Sequence, residues 1–336
     1  MLLNCLKKIN PTLVIFIDIC TALAAVAVTG GAFAQSVLTG DIAYGFKSVT
    51  TNMNTASGFG LNAADLAFNA SEDVEGLGKL SASINFASDG GRSVAPYAGD
   101  QSITLVTAAG MKIMAGSVQG TSYLGQGIAS AGSAFDDNLS GKNLSARTNN
   151  DVISASMPLT DTLSLSVAHA EADVAIGGGS AISANGITTQ RYNTAGLTFK
   201  SGKLSVDGGF RSYDNQIALS TSSVNTLSRA AIGYDLGVAK IGAGMQTATY
   251  MYGNTSTQSL VGVNVPLGAM KVGGQFGQNV TSGNATSTSN YTRTGMILGS
   301  QYDFSKRTYL VGHWYSFDAG YSTNTTGYYF ALYNTF

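Results

Sequence analysis

Gly327-Tyr-Tyr-Phe-Ala-Leu-Tyr-Asn-Thr-Phe336 is the stretch on which the fold turns. Every second residue back from the end is Phe336, Asn334, Leu332, Phe330 and Tyr328. A period of two is the signature of a strand. Here one face of that strand is almost wholly apolar up to its last residue. Chain ends ordinarily fray in water. An apolar strand at an end makes sense when it closes a sheet and turns that face to lipid. An open edge in lipid leaves unpaired N–H and C=O groups, each costing several kcal/mol, so the sheet must close on itself.

The same alternation recurs along the chain. Ile42, Tyr44 and Phe46 share one face, as do Leu66 and Phe68, Leu80 and Ile84, Val206 and Phe210, Ile232 and Tyr234, and Val272 and Phe276. The opposite face is small, polar or charged: Asp41, Lys47, Asp65, Asn85, Asp207, Arg211 and Arg229. A soluble sandwich would point the apolar face into a core. A membrane barrel would point it to lipid and the polar face to a wet lumen. The connections decide between them. Tight turns stand at residues 75–78, 108–110, 201–202, 236–237, 267–268 and 303–306, and they alternate with long polar stretches at 88–101, 174–190, 214–225, 281–290 and 320–326. Short turns at one end and long loops at the other are the asymmetry of an outer-membrane barrel. The expected fold is therefore all-β, a transmembrane antiparallel barrel of about sixteen strands, even in number as such barrels are. A ring that wide is not filled by side chains and encloses water. Aromatics near strand ends, from Tyr250 and Tyr252 through Tyr291, Tyr302, Trp314, Tyr315, Tyr328, Tyr329 and Tyr333, are expected to form interfacial girdles.

The front of the chain reads as a secretory leader. Lys7 and Lys8 precede an apolar run over residues 13–28, and Ala32-Phe33-Ala34 is an A-x-A cleavage pattern. Residues 1–34 are expected to be removed, leaving residues 35–336 as the barrel domain. Asp18 interrupts the apolar run, so an uncleaved anchor is the rival reading. Both cysteines, Cys5 and Cys20, lie in this segment. Disulfides and cysteine-based metal sites or nucleophiles are thus excluded from residues 35–336. The balance of 18 Lys+Arg against 19 Asp+Glu is near neutral and argues against a nucleic-acid partner.

One segment breaks the hairpin rhythm. Just under thirty residues separate the strand at 112–118 from the strand beginning near Arg147. A loop this long in a compact fold calls for a function, and in a channel it has room to fold inward.

At this point the chain resembles a known family. Ser36-Val-Leu-Thr-Gly-Asp-Ile-Ala-Tyr-Gly resembles the first strand of general Gram-negative porins. Ser71-Glu-Asp-Val-Glu-Gly-Leu-Gly-Lys-Leu resembles a turn motif of theirs. Arg147-Thr-Asn-Asn-Asp-Val-Ile-Ser resembles the strand that follows their constriction loop. Tyr302-Asp-Phe-Ser-Lys-Arg-Thr-Tyr-Leu resembles their penultimate hairpin, and the final strand ends in Phe as theirs does. The matches run in the expected order over residues 35–336. The resemblance implies a sixteen-stranded homotrimeric barrel in the outer membrane, set among lipid and lipopolysaccharide. It implies a third loop folded into the lumen, and passive diffusion of small hydrophilic solutes and ions. It also implies that Phe336 is read by the outer-membrane insertion machinery.

In that family, acidic residues on the inward loop face basic residues on the wall, and the field between them filters solutes. Asp136 and Asp137 are the acidic candidates. Lys47, Arg211 and Arg229 are lumen-facing by parity, and Arg147 is carried over from the matched strand; Lys112 and Arg92 are further possibilities. No dense arginine ladder marks the early strands, so a wide, weakly selective pore is expected. No cofactor or metal is called for: there is no G-x-S-x-G elbow and no ligand cluster at metal spacing. His169 and His313 lie far apart, each in strand context, and read as packing residues. The competing class is a structural or adhesive surface barrel that transports nothing.

Overall fold

Sixteen strands close into one antiparallel ring in the computed structural model of the chain. The structure describes residues 35–87, 97–120, 122–132, 139, 144–145, 149–172, 182–183, 186–187, 191–214, 224–283, 290–318 and 324–336. The expected leader lies outside the described residues. The first half of the wall is β1 (Gln35–Thr51), β2 (Asn54–Val74), β3 (Gly78–Ala87), β4 (Tyr97–Thr107), β5 (Lys112–Gln119), β6 (Asn149–Pro158) and β7 (Leu163–Ala172). Two short strands, β8 (Ile182–Ser183) and β9 (Gly186–Ile187), pair as a separate sheet. The ring resumes with β10 (Arg191–Ser201), β11 (Leu204–Asp214), β12 (Val224–Asp235), β13 (Lys240–Tyr250) and β14 (Thr255–Leu267). It ends with β15 (Met270–Ser282), β16 (Tyr291–Asp303), β17 (Thr308–Asp318) and β18 (Asn324–Thr335).

The last strand closes the ring against the first. Tyr44 stands opposite Leu332 and Phe46 opposite Phe330. The seam is tied at its end by two backbone bonds: Gly40 N–H donates to the Phe336 carbonyl at 3.0 Å, and Phe336 N–H donates to the Gly40 carbonyl at 2.9 Å. No edge is left there to pair with a stranger or to face lipid unpaired.

The two faces of the wall differ as the alternation requires. Phe330 is 51 % exposed, whereas its neighbours Tyr329 and Ala331 are buried. Leu197, Phe210, Ile232, Met245, Val261, Phe276 and Leu298 are exposed in the same way. The face opposite them carries the glycines against which residues 124 and 128–130 of the long loop pack, so that face is the inside. The exposed large side chains therefore point outward, forming the apolar band a bilayer demands.

One irregularity on β2 would mislead a strict period-two reading. Ala43 pairs with Ala63 but Tyr44 with Leu61, leaving Asn62 as an extra residue. This bulge keeps Phe59 and Leu61 on the same outer face as Ala64 and Leu66. It turns Asn62 inward, where its amide donates to the Tyr333 hydroxyl at 2.7 Å.

Connections segregate by end. Those at 75–77, 108–111, 159–162, 202–203, 236–239, 268–269 and 304–307 are all short. The other end holds all the long ones, and the exceptions there are two short connections, 52–53 and 251–254. The first exception is a two-residue turn with φ of 48° at Asn52 and 69° at Met53. Positive φ at both central residues matches the twist of a hairpin. The connection at 120–148 follows β5 and is the third at that end, as the sequence implies.

Candidate functional site

The inward loop folds by its own local chemistry before it meets the wall. Ser122 Oγ accepts from the Gly125 amide at 3.2 Å, and the Gln126 amide donates to the Ser122 carbonyl at 3.0 Å. A single 3₁₀ turn follows at Ile128–Ser130, closed by Ala131 N–H donating to the Ile128 carbonyl at 3.1 Å. Ala131 and Gly132, with φ of 58° and 67°, reverse the chain and end it.

This turn lies inside the barrel against β12, β13 and β14. It reaches the wall because the wall has glycines there. A Cβ at Gly262 would sit 2.7 Å from the Ala129 carbonyl oxygen. At Gly242 it would meet the Ile128 carbonyl oxygen more closely still. Backbone thus packs on backbone, the close approach for which glycine is used. Leu124 and Ala129 are 1 % and 0 % exposed as a result. Leu139 and Leu144 join them in one buried cluster with Leu260, Ile297, Val311, Tyr315, Tyr329 and Tyr333. Burial of each of these leucines from water stabilises the docked loop by about 1.5–3 kcal/mol.

Polar bonds fix the register of this packing. Gln275 Nε2 donates to the Gly125 carbonyl at 3.3 Å, and the Asn264 amide donates to the Gly132 carbonyl. Gln258 holds Ser145 twice, accepting from its amide at 3.1 Å and donating to its hydroxyl at 2.7 Å. Tyr123 completes the set by donating its hydroxyl to the Asp207 carboxylate on β11. Tyr123→Phe removes a bond to a charged acceptor, a loss of about 1.5–3 kcal/mol. Its expected result is a looser loop, seen as noisier open-channel current in single-channel recordings. Current as quiet as wild type would mean that the apolar bed alone holds the loop.

Two groups of lumen-facing charges stand half a ring apart. Arg211 and Arg229 are both on the inner face of β11 and β12, in register with Leu227 and Gly209 respectively. The Arg211 guanidinium lies 3.9 Å from the centre of the Tyr192 ring, and that of Arg229 lies 4.5 Å from the Tyr123 ring. Asp41 and Asp65 stand directly opposite each other in the β1–β2 ladder, on the inner face. Around the ring, β1 and β2 are half a turn from β11 and β12. Lys47, the remaining wall candidate, also faces inward but sits on β1 with the carboxylates, opposite Tyr329. The structure therefore brings Arg211 and Arg229 together and does not bring Lys47 to them. Lys112 is exposed at the tight-turn end of β5. Asp136, Asp137, Arg147 and Arg92 lie outside the described residues.

Three features were missed in the sequence. Asp41 and Asp65 lie on the same polar face as Lys47, so parity was the available signal. Arg293 is a third inward arginine, 4.5 Å from the Tyr291 ring centre. The Tyr123–Asp207 bond had no signal at all, because it joins residues 84 apart in the chain. Of the aromatics in the girdle expectation, Tyr252, Tyr302, Trp314 and Tyr328 are exposed, as that expectation requires. It fails for Tyr315, Tyr329 and Tyr333, which are buried on the inner face. Tyr309 and Tyr333 stack with ring centres 5.0 Å apart, and the Tyr329 and Tyr333 hydroxyls meet at 3.1 Å. These rings form the bed of the inward loop rather than a belt at the lipid interface. Of the two histidines, His313 packs inside against Tyr329 at 4.9 Å. His169 is exposed on the outer face, within 2.9 Å of Asn193 and 3.3 Å of Glu171.

A sixteen-stranded ring with apolar outside, polar lining and a loop folded inward is the fold of the Gram-negative outer-membrane porins. Among solved structures, the chain is similar to the anion-selective porin from Comamonas acidovorans, with 17 % identity and a TM-score of 0.66 over 90 % of this chain and 100 % of that one. It is also similar to the trimer form of OmpT, an outer membrane protein of Vibrio cholerae, at 13 % identity and a TM-score of 0.65 over 89 % and 99 %. A mutant of the Rh. blastica porin matches at 12 % identity and a TM-score of 0.59 over 90 % and 100 %. No protein-family model matches the chain, and no curated protein sequence matches it.

Proposed function

We propose that the chain is an outer-membrane porin, a water-filled channel for passive diffusion of small hydrophilic solutes and ions. The observation that carries this reading is the closed ring with an apolar outer band and a loop docked inside it rather than beyond it. Sixteen strands enclose more space than side chains fill. A loop docked on the inner wall narrows that space. The reading needs no catalysis and no cofactor. Residues 1–34 act as the export leader, the protein assembles as a homotrimer among lipid and lipopolysaccharide, and Phe336 serves the insertion machinery. The trimer form of a structurally similar protein supports the assembly.

Selectivity in this reading is weak. The β1–β2 wall carries Asp41 and Asp65 against Lys47; the β11–β12 wall carries Arg211 and Arg229 against Asp207. The Arg211–Arg229–Asp207 cluster and the Asp41–Asp65–Lys47 cluster thus carry net charges of opposite sign and set a modest field across the pore. Asp136, Asp137 and Arg147 are proposed to add to that field from the loop and the strand after it.

Liposome swelling tests the reading. Proteoliposomes should swell in small neutral sugars and progressively less in larger ones. Absence of swelling in every sugar would remove the channel and favour a structural surface barrel. Deletion of Phe336 removes both backbone bonds at its end of the seam, and Phe336 lies 52 % exposed on the lipid side. The deletion is expected to lower the amount of heat-modifiable trimer recovered from outer membranes several-fold. Full recovery would show that neither the bonds nor the side chain matters for assembly.

A further inference from the structure

We propose that the inner wall of β2, β3 and β4 near the tight-turn mouth is a polyol site, where neutral polyhydroxylated solutes of sugar size pause during passage. The site rests on the channel reading above and adds to it a ligand class and a place.

Six polar side chains form a grid there. Ser71, Ser81 and Thr104 stand opposite one another across the three strands, and Asn69, Ser83 and Ser102 form the next row. They alternate with the outward Phe68, Ile84 and Ile103, so all six line the lumen. Neighbouring strands are about 4.8 Å apart, and successive inward residues are about 6.6 Å apart along a strand. The spacing of the grid is therefore set by backbone. A cavity of about 410 Å³ lies over it, lined also by Gln35 and Val37 of β1. A larger one, about 940 Å³, is lined by the next residues along the same strands, Thr39, Ala67 and Asn85 among them. The two cavities follow one wall from the middle of the pore to its tight-turn mouth.

The grid is open because the inward loop docks elsewhere. On the loop's side of the ring the polar side chains are engaged: Gln258 holds Ser145, Gln275 donates to the Gly125 carbonyl, and Ser256 donates to Asn279 at 2.8 Å. In the grid, Ser81 donates to the Thr104 carbonyl at 3.3 Å and Ser83 to Asn85 Oδ1 at 3.4 Å. The Asn69, Ser71, Ser102 and Thr104 side chains have no protein hydrogen-bond partner among the described residues. Lumen water satisfies them, and a solute replaces that water without loss only where it reproduces the water's hydrogen bonds. A polyol does so, because each of its hydroxyls both donates and accepts. A carboxylate only accepts and an ammonium only donates. Charge selects the same class. Lys79 is the charged residue in the smaller cavity's lining, and it stands opposite Asp73, so the pair presents no net charge to draw an ion. Val37, 45 % exposed, offers the C–H groups of a sugar an apolar contact.

The test is the effect of glucose on single-channel KCl current, with triethylene glycol as a neutral control of few hydroxyls. Glucose is expected to lower the wild-type current along a saturating curve. Triethylene glycol should lower it only in proportion to concentration. In Ser83→Ala, and separately in Ser102→Ala, the half-saturating glucose concentration should rise about fivefold, the loss of one neutral hydrogen bond. Ser83→Thr keeps the hydroxyl and should stay near wild type. Ser205→Ala, which removes a hydroxyl from the inner face of β11, should change nothing. Unaltered sugar-free conductance in each variant checks that the pore is intact. Equal half-saturation in wild type and both grid variants overturns the site. An equal loss in Ser205→Ala assigns the effect to the lumen at large and overturns it too. A wild-type channel on which glucose and triethylene glycol act alike overturns the site alone; a protein that never conducts removes the channel reading as well.

Discussion

Replacing Gly242 with leucine is expected to expel the inward loop from its seat and widen the pore. A Cβ at this position already collides with the Ile128 carbonyl oxygen, and it would come within 2.7 Å of the Ala129 carbonyl oxygen. Neither obstacle is a flexible side-chain tip; both are backbone of a tight 3₁₀ turn. The strand cannot retreat either, because β13 is bonded on both sides to β12 and β14. The loop must therefore move. Leu124, 1 % exposed when docked, then returns to lumen water, at a cost of about 1.5–3 kcal/mol. The outer face of β13 is untouched, so the barrel should still fold and insert. Single-channel conductance should rise by at least about twofold, as the lumen approaches that of an unobstructed sixteen-stranded ring. Sugars excluded by the wild type should enter. Unchanged conductance and unchanged size exclusion would show that the docked turn is not what narrows the pore.

A lysine at Leu197 should cost far more than a lysine at its neighbour Thr198. Leu197 is 48 % exposed and pairs across the ladders with Leu165 and Gly208, on the outer face near the middle of β10. A lysine near the bilayer midplane costs roughly 2–4 kcal/mol. Thr198 points into the lumen and stands opposite Asp207. There a lysine meets water and a carboxylate, and its cost is about 0–1 kcal/mol by the same reasoning as for an exposed ion pair. Urea titration of folding into lipid vesicles measures both. Equal destabilisation by the two substitutions would mean that the faces are not lipid and water, and would undo the inside–outside assignment.

Both expectations show which parts of the molecule its sequence discloses. Side-chain alternation is local, and residues such as Ile232, Tyr234 and Phe276 reveal the outer face two positions at a time. The ring follows, because an alternating sheet with lipid on one face has to close. Parity also places Arg211 and Arg229 inside without any knowledge of their partners. It places Asp41 and Asp65 there equally well, although they are not among the pore candidates the sequence names. Parity fails where the backbone adds a residue, as at Asn62, since a bulge leaves no mark in composition. It is silent on packing between distant segments. Gly242 and Gly262 read as ordinary small residues of a barrel strand until residues 128–130 are seen resting on them. Tyr315, Tyr329 and Tyr333 look like interfacial aromatics for the same reason: what covers them comes from far away in the chain. The loop was legible as an inward loop from its length, but its seat on β12–β14 was not, because shape complementarity is a property of the pair.

The pore is proposed to be water-filled and narrowed, but not closed, by the docked loop. Single-channel recording of the purified protein in a planar bilayer of neutral lipid tests it most directly. Discrete, ohmic conductance steps are predicted, with a reversal potential under a KCl gradient displaced only modestly toward either ion. A folded, inserted protein that yields no steps would contradict the claim.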